Sequence, residues 1–458
     1  MSDRWALVLA LATAAGACAS RPMAAPMAVA AMAAVALAMA LRRPALLCLA
    51  TAALASGLAA RAWAGLRPPP PTPAPWKGTA ILAADPAPSQ GRGLQFEVRL
   101  GHRRALAVVR AGPDAERLRP RLAGERLQLS GTVGPITGLT RAALAHRHVA
   151  TVVRVTEVGP WRPGPAPLRL ANGVRRTIER GAVSLPPESR ALFAGFVLGD
   201  QRTEPAATRA AFRNSGLSHL LVVSGENLAF VLALAAPALR RVRLGPRLAL
   251  GLALLALFGL LTRWEPSVLR AEAMAALALL SATLGRPVST KRLLCLAVTG
   301  LLLVDPLLVG SLGFLLSAAA TAGIAWLSPP LTRRLPLPIA VTLAAQLGVA
   351  PVLIPVFGGF PLASLPANLL AVPIAGPVMM WGLAAGLPAG LLGGRAAAVL
   401  HLPTRLLISW VALVAHRAGA LHIGMVGAPH LAGLAAGVGT ARLGRWIASV
   451  RAPRSRSP

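Results

Sequence analysis

The chain reads as a polytopic α-helical membrane protein into which a small all-β soluble domain is inserted. Three observations predict this. Hydrophobic residues make up 55% of the 458 residues and mean hydropathy is +0.62, too apolar for a soluble globule of this size. Long apolar runs open the chain and recur through its second half. Between these two regions the pattern changes to short alternating stretches of strand type.

Residues 1–66 carry three apolar runs, near 5–20, 23–41 and 44–63, and are expected to form N-terminal transmembrane helices. The opening MSDRWALVLALATAAGACAS has the outline of a signal peptide, but more spans follow at once, so it reads as a retained first span. With the N-terminus inside, Arg42 and Arg43 fall in the cytoplasm and residues 67 onward outside. RPPPPTPAP, 67–75, is a stiff polyproline linker and a domain boundary.

In residues 76–158 the stretches GTAILAAD, LQFEVRL, ALAVVRA, RLQLSGTVG and VATVVRVTEV predict five strands. Five short strands in so small a domain suggest an OB-fold-like β-barrel ectodomain. Such barrels often bind single strands through a basic groove and stacked aromatics. Here only Phe96 lies within a strand, with Trp76 and Trp161 at the edges, so the groove is expected without the stacking platform. The HxH pair His146 and His148 reads as surface.

Residues 159–216, including PLRLANGVRRTIERGAV, predict amphipathic helices at the membrane interface. Residues 217–449 form the main transmembrane bundle, with apolar segments near 217–239, 244–262, 266–284, 291–304, 306–328, 336–357, 361–391, 395–420 and 428–449. Pro351, Pro355, Pro361, Pro366, Pro373 and Pro377 predict broken or re-entrant helices, tolerated only when buried in protein or lining a cavity. Residues 450–458 are expected to form a basic disordered tail.

Net charge is +32, yet lysine occurs only at positions 77 and 291 and tyrosine is absent, which points to biased codon usage as one source of arginine. Positive-inside topology accounts for more. An excess this large also suits a polyanionic partner, nucleic acid or anionic lipid. Cys18, Cys48 and Cys295 form no paired motif. There is no GxxxxGK[ST] and no HExxH, so no cofactor or metal is expected.

Ionisable residues inside a span cost roughly 2.5–3.5 kcal/mol on insertion scales and usually face a bundle interior or watery cavity. Glu226, Arg270, Glu272 and Asp305 are the charged candidates, with His219, Asn227, Gln346 and Asn368 as uncharged helpers. Ser224 and Gly225 are expected to interrupt the first bundle helix and leave Glu226 and Asn227 at the break. The purely structural alternative is an ion pair between Glu226 and Arg270. Asp305–Pro306 reads as a turn. His219 and Ser224, five apart, are the pair that suggests a serine hydrolase, but they cannot meet on a continuous helix, which leaves a distant partner such as His416 as the alternative.

GDQRTEPAATRAAFRNSGLSHLLVVSGENLAF, 199–230, resembles the signature of the ComEC family of bacterial DNA-uptake membrane channels. Gly199, Asp200, Phe212, Gly216, Leu217, His219, Leu220, Leu221, Ser224 and Gly225 stand at family positions. PSVLRAEAMAAL (266–277), DPLLVGSLGFLLS (305–317) and AAQLGVAPVLIPVFGGFPLASLPANLLAVPIAGP (344–377) follow in the family's order. The resemblance implies a non-enzymatic channel in the bacterial cytoplasmic membrane, with the barrel on the extracytoplasmic side, that passes single-stranded DNA inward. It further implies an external DNA receptor, a cytoplasmic ATPase or helicase, contact with membrane lipids, and self-association. Two departures stand out. Glu226-Asn227-Leu228 replaces the family's Leu-His-Val, and Leu315 replaces a usual glutamine. The His-x-His-x-Asp-His motif of the family's metallo-β-lactamase-like domain is missing, so a separate nuclease is expected. Alternatives are a related permease for another anionic substrate, lipid-linked or nucleotide-like, and an intramembrane hydrolase.

Overall fold

The structure, a computed structural model, describes residues 2–66, 73–89, 93–136, 138–421 and 423–430. Most of the polyproline linker, the last apolar segment beyond residue 430, the basic tail and His422 lie outside the described residues.

Helix α1 (Asp3–Ala19) starts where Ser2 accepts the Trp5 N–H and Asp3 meets the positive helix end. Helices α2 (Ala25–Ala40) and α3 (Pro44–Gly65) each carry proline in their first turn, where its missing N–H costs nothing. Helix α1 packs against α3 so closely that a Cβ on Gly16 would lie 2.1 Å from the Ala52 carbonyl oxygen. Helices α1 and α2 have 17 and 16 residues, short of the roughly 20 a perpendicular span needs.

The β domain consists of β1 (Ala74–Leu82), β2 (Ala87–Ser89), β3 (Gly93–Leu100), β4 (Arg103–Arg110), the short helix α4 (Pro113–Leu118), β5 (Arg126–Pro135), α5 (Gly138–Leu144) and β6 (Val149–Arg162). The sheet order is β1-β5-β6-β4-β3-β2, and β1 also pairs with β3 through Ile81↔Arg99 and Leu82↔Val98. The β4–β6 pairing is parallel and the others antiparallel. Alternation drives the packing. Leu94, Phe96 and Val98 point inward with Ala105, Ala107, Val109, Leu127 and Leu129, and Leu118 of α4 joins them. The five expected strands are present, with β2 added; three residues are too few for an alternation signal. Strand β1 begins inside the expected linker, and β6 runs four residues past the expected domain end at 158. The face of Trp161 is covered by the Arg121 guanidinium, 4.2 Å from the ring centre.

Helices α6 (Ala166–Gly181), α7 (Pro187–Leu198) and α8 (Ala206–Asn214) connect the domain to the bundle. Helix α6 is amphipathic as expected, but α7 is buried along almost its whole length. It contributes Phe193 and Phe196 to the largest core cluster.

The bundle comprises α9 (Gly225–Arg240), α10 (Leu244–Leu261), α11 (Pro266–Thr283), α12 (Thr290–Val304), α13 (Leu312–Leu331), α14 (Leu337–Phe357), the short strand β7 (Phe360–Pro361), α15 (Ser364–Leu392), α16 (Gly394–Leu400), α17 (Leu402–Ala420) and β8 (Met425–Val426), which pairs with β7. Among the described residues, α3, α13, α14 and α15 are long and apolar enough to cross a membrane. The α16–α17 pair, bent by 53°, adds a fifth if taken as one span.

The expected interruption at Ser224–Gly225 is present: a 3-10 turn (Ser218–Leu221) and an extended stretch precede α9. The proline expectation needs correction: α14 runs through Pro351 and Pro355, and α15 through Pro373, Pro377 and Pro388. In membrane helices, neighbouring groups can satisfy the carbonyls that proline frees. The chain breaks instead at Gly358 and Gly359, whose φ angles of +78° and +152° suit glycine.

The bundle has two distinct ends. The C-terminal ends of α3, α10 and α12 meet the β domain, through Leu66, Arg263 and Asp305. The α2–α3, α9–α10, α11–α12 and α13–α14 turns therefore lie at the opposite end, and they carry Arg42–Arg43, Arg240–Arg241, Arg286 and Arg333–Arg334. Asp3 joins that end by pairing with Arg292 at 3.0 Å.

Candidate functional site

The break before α9 is built by Ser224. Its Oγ accepts the Glu226 N–H at 3.2 Å and donates to Asn227 Oδ1 at 3.1 Å. This is an N-cap, and it starts a helix at Gly225 inside an otherwise apolar segment. Asn227 is buried and donates through Nδ2 to the Phe196 carbonyl at 2.8 Å, fastening α9 to α7. The extended stretch is held on both sides: Ser267 Oγ donates to the Val223 carbonyl and Gln201 Nε2 to the Leu221 carbonyl, each at 3.0 Å.

Helix α11 lies directly against the break. A Cβ on Gly225 would sit 2.7 Å from Arg270 Nη2 and 2.8 Å from Ala271 Cβ. Arg270 is 6% exposed. Its Nε donates to Ser317 Oγ of α13 at 2.9 Å, and its Nη1 approaches Met274 Sδ at 3.1 Å. The ion pair between Glu226 and Arg270 is not formed: among the described residues no carboxylate lies within 4.0 Å of Arg270. Glu226 is exposed. Glu272 is buried, and among the described residues neither of its carboxylate oxygens has a hydrogen-bond partner.

Gln346 and Asn368 belong to a second cluster, centred on Ser364, which sequence reasoning missed. Gln346 Nε2 donates to Ser364 Oγ at 3.1 Å, and Asn368 Nδ2 to the Ser364 carbonyl at 2.7 Å. Gly216, at φ +73°, makes room for Ser364, whose Cβ would lie 2.5 Å from a Cβ there. The signature stretch 216–227 thus touches α7, α11 and the start of α15. His219 is exposed on the 3-10 turn and forms no hydrogen bond with Ser224 among the described residues. His416, another conceivable partner for Ser224, instead meets Glu188 at 2.9 Å.

A charged network at the domain junction was also missed. Asp85, in the loop after β1, accepts from Arg263 at 2.9 and 3.2 Å, from Arg175 at 3.2 Å and from the Ala123 N–H at 2.7 Å. Arg175 is 1% exposed and also donates to the Leu198 and Leu261 carbonyls. Asp200, of the signature's Gly-Asp pair, is gripped by Arg202 and lies 3.5 Å from Arg175. Burial alone would raise the carboxyls of Asp85 and Asp200. The surrounding arginines outweigh it and hold both below their ordinary values, and the same contacts raise Arg202. Glu204 differs: burial pushes it up to about 7, only partly offset by Arg209 at 3.7 Å. The HxH pair is not simply surface, because His148 meets Asp305 at 2.9 Å across the junction. Asp305 also makes the expected turn, accepting the Leu307 N–H at 3.1 Å.

The family model described as competence protein matches residues 196–449, more than half of the chain. The chain belongs to the competence protein family. The match begins in α7 and takes in the Gly-Asp loop, the break before α9 and the rest of the bundle, as the signature segments led one to expect. The chain is also 30% identical over 233 residues to ComE operon protein 3 of Bacillus subtilis (strain 168), covering 50% of this chain and 30% of that protein. It is 31% identical over 204 residues to the uncharacterized protein YcaI of Escherichia coli (strain K12), covering 40% and 27%. The matched part spans less than a third of either relative's length. No solved structure matches.

Proposed function

We propose that this competence-family protein passes single-stranded DNA across the bacterial cytoplasmic membrane during DNA uptake, as a conduit and not as an enzyme. The observation that carries the reading is the break at Ser224–Gly225. It places polar groups and the start of a half-helix inside an apolar segment, beside a buried arginine that has no carboxylate partner among the described residues. Irregular backbone at membrane depth is stable where it lines a cavity or is buried in protein. A hydrated polyanion needs such a lining.

Topology supports the same reading. The basic turns share the bundle end opposite the β domain, and the positive-inside rule favours that end as cytoplasmic. The β domain would then face outward, toward an external DNA receptor. Its single parallel pair and the β1–β3 contact, which joins the sheet back to its first strand, favour an OB-fold-like domain. A separate nuclease and a cytoplasmic ATPase or helicase would complete the pathway, and copies of the chain would associate in the lipid.

Ser224 is occupied as a helix cap and His219 is not its partner, which speaks against hydrolysis. The test is deletion in the native host with labelled DNA. Loss of the DNase-protected cytoplasmic pool, with normal surface binding and rescue by the wild-type chain, is expected. An unchanged pool in a demonstrably competent host would reject DNA as cargo in favour of another anionic substrate.

A further inference from the structure

We propose that Arg270 and the first turn of α9 form a seat for one backbone phosphate of the passing strand, an inference that rests on the DNA-conduit reading. Among the described residues no carboxylate forms an ion pair with Arg270; Glu226, in the first turn of α9, is exposed and makes no salt bridge with it. Arg270 is 6% exposed, Nε and Nη1 are taken by Ser317 and Met274, and Nη2 has no hydrogen bond among the described residues. A buried guanidinium without a carboxylate is costly unless an anion visits it.

The free Nη2 is aimed at the start of a 16-residue helix, 2.7 Å from where a Gly225 Cβ would lie. That helix end carries partial positive charge and N–H groups that suit phosphate oxygens. Ser224 consumes only the Glu226 N–H. The Gly225 and Asn227 N–H groups have no partner outside the helix among the described residues. Glycine at 225 keeps side-chain bulk out of the gap. The one free guanidinium nitrogen, Nη2, beside a helix N-terminus offers a charge-assisted hydrogen bond to a single phosphate oxygen.

A lipid phosphate shares this chemistry, so the test separates the two sources. The full chain is placed in nanodiscs of neutral lipid, and binding of fluorescent oligothymidylate is measured against salt. Arg270→Gln is expected to lower affinity about tenfold and reduce the slope of log K against log salt by about 0.7, the value for one phosphate contact on a single strand. Arg270→Lys keeps the charge and should retain most of the slope. Gly225→Ala keeps the arginine but displaces it, and should weaken binding as Arg270→Gln does. An oligomer with an uncharged methylphosphonate backbone should not distinguish Arg270→Gln from wild type. An unchanged slope in a correctly folded Arg270→Gln protein overturns the seat. So does a difference seen only when phosphatidylglycerol is added. Uptake assays keep the two claims apart. If the deletion strain still takes up DNA, the conduit reading fails; if it does not and Arg270→Gln restores full uptake, only the seat fails.

Discussion

Asp85 of the β domain accepts a two-pronged hydrogen bond from Arg263 of the bundle, at 2.9 and 3.2 Å. Arg263 and Trp264 both hold positive φ angles, +61° and +55°, where residues with side chains are strained. The contact therefore fixes a strained turn as well as a domain. Asp200 brings the signature loop into the same network, and the neighbouring Gln201 reaches the Leu221 carbonyl just before the break. A continuous chain of contacts thus runs from the domain junction to the break before α9.

Asp85→Asn should leave Arg175 and Arg263 without their shared carboxylate and destabilise the protein by about 3–5 kcal/mol. Combined with Arg263→Gln, the loss should be smaller than the sum of the two single changes; strict additivity in thermal unfolding would contradict the coupling. The pH sign follows from the lowered carboxyls of Asp85 and Asp200. Their stabilisation is complete above about pH 4, the unfolded value, and is lost as pH falls through the folded values.

Much of the bundle was legible because its helices announce themselves. Pro44 and Pro266 open helices at expected places, and the apolar runs from 244 to 420 reappear as α10 through α17. The strands were legible through alternation. The junction was not. Asp85 and Arg263 are 178 residues apart, and Arg263 looks like any loop arginine in an arginine-rich chain. Ser364 escaped for a similar reason: a serine in a proline-rich apolar run carries no signal until Gly216 and Gln346 are brought to it. The break was foreseen from Ser224–Gly225, but not its fastening to α7 by Asn227, which depends on packing across 31 residues.

Glu204→Gln should stabilise the protein at alkaline pH. Its carboxyl is raised to about 7 by burial, so the folded state holds the proton more tightly than the unfolded chain. Stability therefore declines as pH rises from about 4.5 through 7, and the glutamine removes that decline. The gain should be on the order of 2 kcal/mol at pH 8 and much smaller at pH 5. Equal gains at both values, measured by thermal unfolding, would contradict a carboxyl whose burial outweighs its contact with Arg209.

Ser224→Ala should cost about 1 kcal/mol as a lost N-cap, and should reduce uptake without abolishing it. Complete loss of uptake at unchanged stability would give the hydroxyl a chemical role that its bonds to Glu226 and Asn227 do not suggest.

A single cysteine at Ser89, at the end of β2, should react with a membrane-impermeant maleimide added to intact spheroplasts. Labelling only after the cytoplasmic face is opened would invert the topology and place the arginine-rich turns outside.

The most direct test of the central claim is photocrosslinking during uptake. A photoreactive amino acid at Val222, 39% exposed in the extended stretch before α9, samples the break itself. The same group at Leu49, 70% exposed on α3, serves as the lipid-facing control. The account predicts adducts with labelled single-stranded DNA at Val222 and none at Leu49. Uptake that proceeds normally with no DNA adduct at Val222 would contradict a passage through the break before α9.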